Sequence, residues 1–494
     1  MNSLFVKIDD LCNAILVKEL RQSVRGKFLW FILNALLLIL ASIYFFVMVD
    51  GINSSSGIDL AQYLTTCLLF CCFFLIPLNI GKKMAKERFD GTNELLFTTI
   101  MTPKQIILGK FLCGLTENTM LLCMLAPFIL LSVYLGGFNI KNLLTALFVG
   151  YVSSLSGIML QILFGLVTKK VSAVNFIIKA FGIILQFSFW LTVNMACCGI
   201  IRGREPIFHL TDQSLQGLFI FLSIVVLSWM FLYRYSVSIL EPESSNKKYI
   251  LRVFASLASV VIAILGIAIA NFGYASVIVI GCMFIGITLS IYSEPDDYSQ
   301  RLKKEIPNSF LEKLTNFPFF TGMANGLTWV IGFSVMSLLY LYLLENKSFL
   351  NLNEDLSEII VAYVVIGLTI TNYGLLGNYI RRKFFSSMPK SSNFGISILL
   401  FLFLGVISLN ISEIIFVGFS PMGEYIYVVN PIGYLFRNEF DVALFWVSMG
   451  FIFVSMLNSD SIFRQIKSFF NSKKDDEVIR IMNEEIDKLG NDVK

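Results

Sequence analysis

The chain has 494 residues, 56% hydrophobic and 15% charged, with a formal net charge of +4 and a mean hydropathy of +0.75. Its apolar residues gather in unbroken runs of about 20, the length that crosses a bilayer, which excludes an ordinary soluble globular protein. No nucleic acid is expected as a partner.

The first segment, residues 1–27, carries both signs of charge and precedes a run of span length, so no cleavable signal peptide is expected. Within it Ile15, Leu16, Leu20 and Val24 fall near one helical face, with Lys18, Arg21, Arg25 and Lys27 on or beside the other. That pattern predicts an amphipathic helix lying on the membrane surface before the chain turns inward.

About twelve spans come next, predicted near 28–49, 61–81, 111–135, 143–167, 172–200, 215–235, 250–271, 273–292, 323–344, 357–379, 395–417 and 440–458. Short loops rich in Lys and Arg stay in the cytoplasm. With the N-terminus inside, this pattern leaves only Lys141, Arg202, Arg204, Lys347 and Arg437 outside, and both termini are expected in the cytoplasm.

Between the second and third spans lies an unusually polar inner loop, residues 82–110. Asp90-Gly91-Thr92 reads as a turn opening a short helix to about Met101, with Glu94 in its first turn against the helix dipole. Thr102-Pro103-Lys104-Gln105 then reads as a capping box: Thr102 caps, Pro103 takes the first helical position, and Gln105 stands three residues after the cap. A structured loop of this kind is expected to touch a partner.

The run Glu87, Arg88, Gly91, Thr92, Glu94, Leu95, Leu96, Thr102, Pro103, Gly109 and Lys110 resembles the inner-loop signature of ABC-2 type permeases, the membrane subunits of one class of ATP-binding-cassette exporters. Lys18, Glu19, Leu20 and Arg21, just before the first span, resemble the segment that opens those permeases. The resemblance covers about the first 110 residues strongly and the rest by topology. It implies that the loop is the coupling element seated in an ATPase subunit and that the N-terminal helix is an interfacial elbow. It also implies export driven by ATP and magnesium held on that partner.

The chain itself has no G-x-x-x-x-G-K-[ST] motif, so it is expected to bind no cofactor and not to be an enzyme on its own. Its only histidine is His209, and its nine cysteines fall almost wholly within spans, which leaves no expected metal site and no catalytic triad. The rival reading is an ion-gradient-driven secondary transporter or lipid flippase, which needs ionisable groups inside the bilayer. Glu117, Lys179 and Glu413 are the candidates, and each reads as interfacial; Gln161, Gln186, Asn194, Asn372 and Asn410 read equally as helix-packing groups.

Long inner loops at 82–110 and 293–322, with matching outer loops at 201–214 and 418–439, give the chain the look of two tandem six-span units, 28–240 and 241–460. In the second inner loop Asn308 or Ser309 is expected to cap a short helix, without the Gly-Thr and Thr-Pro signature of the first. One chain then supplies both membrane halves; otherwise the exporter forms a homodimer or pairs with a second permease subunit. The aromatic-rich outer loop around Pro421 and Pro431 suits a membrane surface. The tail, 461–494, is expected to be a cytoplasmic amphipathic helix, against the ATPase or on the inner leaflet. The fold expected is an all-α, multi-pass protein of the bacterial cytoplasmic membrane, with the lipid bilayer and ABC ATPase subunits as partners.

Overall fold

The computed structural model describes residues 14–49, 56–89, 101–167, 173–203, 215–241, 245–268, 273–291, 294, 298–307, 309–346, 355–384 and 440–471. Within them the chain is all helix, with no strand: α1 (Ala14–Arg25), α2 (Lys27–Val49), α3 (Ser56–Phe70), α4 (Ile76–Phe89), α5 (Pro103–Leu135), α6 (Ile140–Val167), α7 (Ala173–Ile201), α8 (Leu215–Leu240), α9 (Tyr249–Ala268), α10 (Gly273–Ile291), α11 (Gln300–Glu305), α12 (Phe310–Asn316), α13 (Met323–Asn346), α14 (Asp355–Phe384), α15 (Phe440–Leu457) and α16 (Ser459–Phe470). Eight helices among the described residues are long and apolar enough to cross a membrane, or nine if the bent pair α15–α16 counts as one span. Helices also stand at the spans expected near 273–292, 357–379 and 440–458; the span expected near 395–417 lies outside the described residues. Apolar side chains such as Phe31 (72% exposed) and Phe46 (65%) stand on the surface of α2, where lipid and not water is the matching solvent. The chain is an all-α membrane protein.

Contacts divide it into two compact units, Met1–Leu240 and Glu241–Lys494. In the first unit α3 and α4 form one long helix interrupted by a π turn at Cys71–Leu75. The Phe73 carbonyl inside that turn accepts from Gln186 Nε2 of α7 at 2.7 Å. Wide turns free backbone groups, and a buried amide side chain satisfies this one. Above the turn α3 is stitched to α7: Gln62 Nε2 donates to the Cys198 carbonyl at 2.9 Å, and Thr66 Oγ1 donates to Asn194 Oδ1 at 3.1 Å. Gln186 and Asn194 thus bond helix to helix. So does Asn372 of α14, which donates to the Val447 carbonyl at 3.0 Å.

Below the turn α4 packs on α6 through glycines. A Cβ on Gly165 would stand 2.6 Å from the Gly81 carbonyl, and one on Gly81 would stand 2.9 Å from the Gln161 carbonyl. Backbones this close need small residues at the contact, as is common between membrane helices.

The second unit is organised at one end by a fully buried ion pair. Arg252 Nη2 of α9 donates to both carboxylate oxygens of Glu294, at 2.7 and 2.8 Å. Its Nη1 donates to the carbonyls of Pro318 and Phe320, while Gly322 N donates to Glu294 Oε2 at 2.6 Å. The segment 298–320 is thereby tied to the end of α9, over a cluster of Tyr298, Leu302, Ile306, Phe317, Phe320 and Phe469.

Of the two residues expected to cap a short helix in the second inner loop, Ser309 stands at the N-cap of α12, though its side chain makes no cap bond. A further short helix, α11, has no counterpart among the expected elements; Ser299 Oγ caps it, accepting from Leu302 N at 3.3 Å. Of the tail expected to be helical over 461–494, the part to Phe470 belongs to α16, which begins at Ser459, and residues 472–494 lie outside the described residues.

The glycine packing makes substitution costs differ from site to site. Gly165→Leu drives a side chain into the α4 backbone and should lower the thermal midpoint of the solubilised protein by an amount equivalent to about 1–3 kcal/mol. Gly332→Ala, at a position with nothing within 4 Å, should leave that midpoint unchanged.

Lys248, just ahead of α9, is pushed down to about 7, chiefly by burial, with Glu294 opposing and Lys247 and Arg252 adding to the fall. Because its folded value lies below the unfolded 10.5, the unfolded chain holds more protons between the two. Stability should therefore rise as pH goes from 7 towards 10.5. Lys248→Met should flatten that rise in a pH series of unfolding midpoints.

Candidate functional site: a shared lysine between the elbow and the loop

The two stretches singled out in the sequence, the elbow and the loop after the second span, meet at one end of the first unit. The Thr102-Pro103 corner takes its expected form. Thr102 Oγ1 accepts from Gln105 N at 3.4 Å, Gln105 Oε1 accepts from Thr102 N at 3.0 Å, and Pro103 opens α5. This cap fixes where α5 begins, and so which residues of its first turns face inward. Ile106, Ile107, Gly109 and Lys110 are buried.

Lys110 lies between two carboxylates. Its Nζ is 2.9 Å from Glu19 Oε1 of α1 and 2.9 Å from Glu87 Oε2 of α4. Lys110 and Glu19 are almost wholly buried, at 3% and 4% exposure, and Glu87 is 19% exposed. Lys18 approaches Glu87 from the water side at 3.8 Å. One turn deeper, Lys83 Nζ of α4 donates to Ser23 Oγ of α1 at 2.7 Å. Two turns past Lys110, Glu117 is buried, with Cys113 Sγ at 3.7 Å from its Oε1. Three helices thus present a polar face to one another at helical spacing: Glu19 and Ser23, Lys83 and Glu87, Lys110 and Glu117.

The elbow, α1, turns a partly polar stripe inward. The stripe turned into the protein is Ile15, Glu19 and Ser23, with Leu20 partly buried and Val24 43% exposed. The charge at Glu19 decides this, since burying Lys110 without a counter-charge would be far costlier than exposing a valine. Trp30 Nε1 donates to the Val24 carbonyl at 2.8 Å and so fixes the turn from α1 into α2.

Of the remaining residues of the two stretches, Arg88 donates to the Leu166 carbonyl of α6, joining the end of α4 to the end of α6. Thr102 and Arg21 are exposed. Gly91, Thr92, Glu94, Leu95 and Leu96 lie outside the described residues. Glu117, two turns past Lys110, is enclosed by protein. Ser23 was not singled out in the sequence, because the i, i+4 spacing of Ile15, Glu19 and Ser23 carries no local mark that this stripe faces inward.

Burial pushes the Glu19 carboxyl up, but the attraction of Lys110, Lys83 and Lys18 and the hydrogen bond from Lys110 outweigh it, so its pKa is held below the usual carboxylate value. A depressed carboxylate stabilises the fold above its unfolded pKa and ceases to as pH falls through the folded one. Among the described residues no group of three or more His, Cys, Asp or Glu side chains converges as a metal site would. Through Lys110 the site joins α1, α4 and α5 electrostatically at one point. Compared with family models, curated proteins and solved structures, the chain matches none.

Lys110→Met leaves two carboxylates facing each other in a dry junction, a change worth about 3–5 kcal/mol. It should greatly speed hydrogen exchange in α1, while Lys110→Arg should preserve much of the protection. In the unaltered protein the same protection should fall as pH drops below 4.5, where Glu19 begins to take up its proton.

Proposed function

We propose that this chain is the membrane-spanning subunit of an ABC-2 type exporter, moving substrate outward with ATP hydrolysed by separate nucleotide-binding subunits. Twelve spans with both termini in the cytoplasm of a bacterium, arranged as two six-span units, are part of this reading. What supports it, beside the resemblance of residues 87–110 and 18–21, is that both flanks of the loop and the elbow hold one buried lysine.

A loop that transmits force needs stiff ends. Glu87 ends one span and Lys110 begins the next, so a displacement of the intervening residues reaches α4 and α5 together and pulls α1 with them through Glu19. ATP and magnesium bind the partner. Closure of the ATPase pair draws the loop, and the altered junction favours an outward-open arrangement of the spans, a shift produced by differential affinity for two states.

A second reading has one observation in its favour. Glu117 is a carboxylate buried inside a span, the kind of group that a gradient-driven carrier requires.

Tagged protein solubilised from native membranes should bring with it a stoichiometric ATPase, and a Glu94→Arg, Pro103→Gly variant should lose both the partner and the ATP hydrolysis. Recovery of no ATPase with either protein, together with transport that collapses under a protonophore and in Glu117→Gln, would select the carrier.

A further inference from the structure

At one end of the second unit stands an apolar surface that neither the spans nor the loop reading uses. Four large side chains project from it: Phe310 (70% exposed), Leu311 (71%) and Leu314 (56%) on α12, and Phe463 (70%) on α16. The two short helices are joined. Lys313 Nζ of α12 donates to the Phe470 carbonyl at 2.9 Å, and the Phe310 and Phe470 rings lie 6.0 Å apart.

The position and tilt of α16 are fixed. It leaves the segment Phe445–Leu457 at 68°. The corner at Asn458 is held by its Nδ2, which donates to the Leu375 and Val454 carbonyls at 3.1 and 3.0 Å, and by Arg382 Nη2, which donates to Asn458 Oδ1 at 2.6 Å. Further along, Gln465 Oε1 accepts from Ala324 N at the start of α13, at 2.7 Å. With Phe445–Leu457 crossing the bilayer along its normal, a helix bent 68° from it lies much nearer the membrane plane than the normal. Its inward stripe, Ser461, Gln465 and Phe469, is buried in the unit, which turns Phe463, Arg464 and Lys467 outward.

The charge around the patch is of one prevailing sign. Among the described residues at this end, Arg301, Lys304, Lys383, Arg464 and Lys467 are exposed, against Glu305, Glu312 and Asp460. Apolar side chains at the level of the span ends, flanked by long cationic ones, match an interface with acyl chains below and anionic headgroups above. A soluble partner would meet the same residues, but neither the level nor the tilt of α16 is required by one.

We propose that α12 and α16 form a foot that beds Phe310, Leu311, Leu314 and Phe463 in the membrane leaflet at this end of the second unit, with a preference for anionic phospholipid. The foot is independent of whether the first unit engages an ATPase. It gives the segment 298–320 a bilayer support on one side and the Arg252–Glu294 pair on the other.

The test places a photo-reactive benzoylphenylalanine at position 311 or, separately, at position 463 of the full-length chain. The protein is reconstituted into vesicles of equal parts phosphatidylcholine and phosphatidylglycerol. Illumination should give lipid adducts at both positions, with phosphatidylglycerol favoured about fivefold, the effect of roughly one cation near an anionic surface. Arg464→Glu, Lys467→Glu should bring that preference to parity while adducts continue to form. Absence of lipid adducts at both positions would overturn the proposal. Adducts in native membranes to a protein, with none to lipid, would replace the leaflet with a protein partner. Equal labelling of the two lipids by the unaltered chain would overturn the anionic preference.

Discussion

An ammonium group withdrawn from water has to be matched at short range, and Lys110 meets that demand with carboxylates from two other helices. The requirement reaches far beyond one residue. Glu19 has to face inward, so the elbow rolls Ile15, Glu19 and Ser23 onto the protein and leaves Val24 on the surface. Glu87 has to remain helical to the end of α4, and α5 has to begin early enough to bring Lys110 into place, which the Thr102 cap and Pro103 arrange. Coulomb attraction in a dry junction is strong but demands well-placed partners, so it specifies an arrangement more than it adds net stability.

The second unit meets a similar demand with different chemistry. Arg252 uses its planar fork on both oxygens of Glu294 and directs its other nitrogen to backbone carbonyls. A guanidinium suits this because it offers several donors in fixed directions, whereas the lysine of the first unit acts as a point charge between two acceptors. In each unit a carboxylate at or just past the end of the second span holds a cation on a neighbouring helix. In the first unit the joint is three-way and includes a surface helix; in the second it anchors the irregular segment 316–322.

How much was legible in the sequence depends on how local each cause is. The start of α5 could be read because a capping box is settled within four residues. The eight long apolar helices among the described residues could be read because length and hydropathy act through the bilayer itself. The elbow's inward face could not, since the residue that decides it, Lys110, is 91 positions away from Glu19. The corner at Asn458 was hidden for the same reason, being held by Arg382 and the Leu375 carbonyl. Helix α11 has six residues, too few to show a period, and its only sequence trace is Ser299 ahead of Leu302. The junction was thus visible as two separate stretches and not as one site.

The π turn at Cys71–Leu75 bears on which changes of chain length the first unit can absorb. A wide turn holds one residue more than an α-helix needs, so losing one residue there would close it to ordinary pitch. The α7 seam above and the α6 seam below would stay aligned, and the Phe73 carbonyl would return to the helical ladder. The same loss in the regular first turns of α5 would rotate the remainder of that helix by about 100° and carry Lys110 off its carboxylates. Two adjoining spans therefore differ sharply in their tolerance of deletion, and the permissive one leads directly into the junction that permits none.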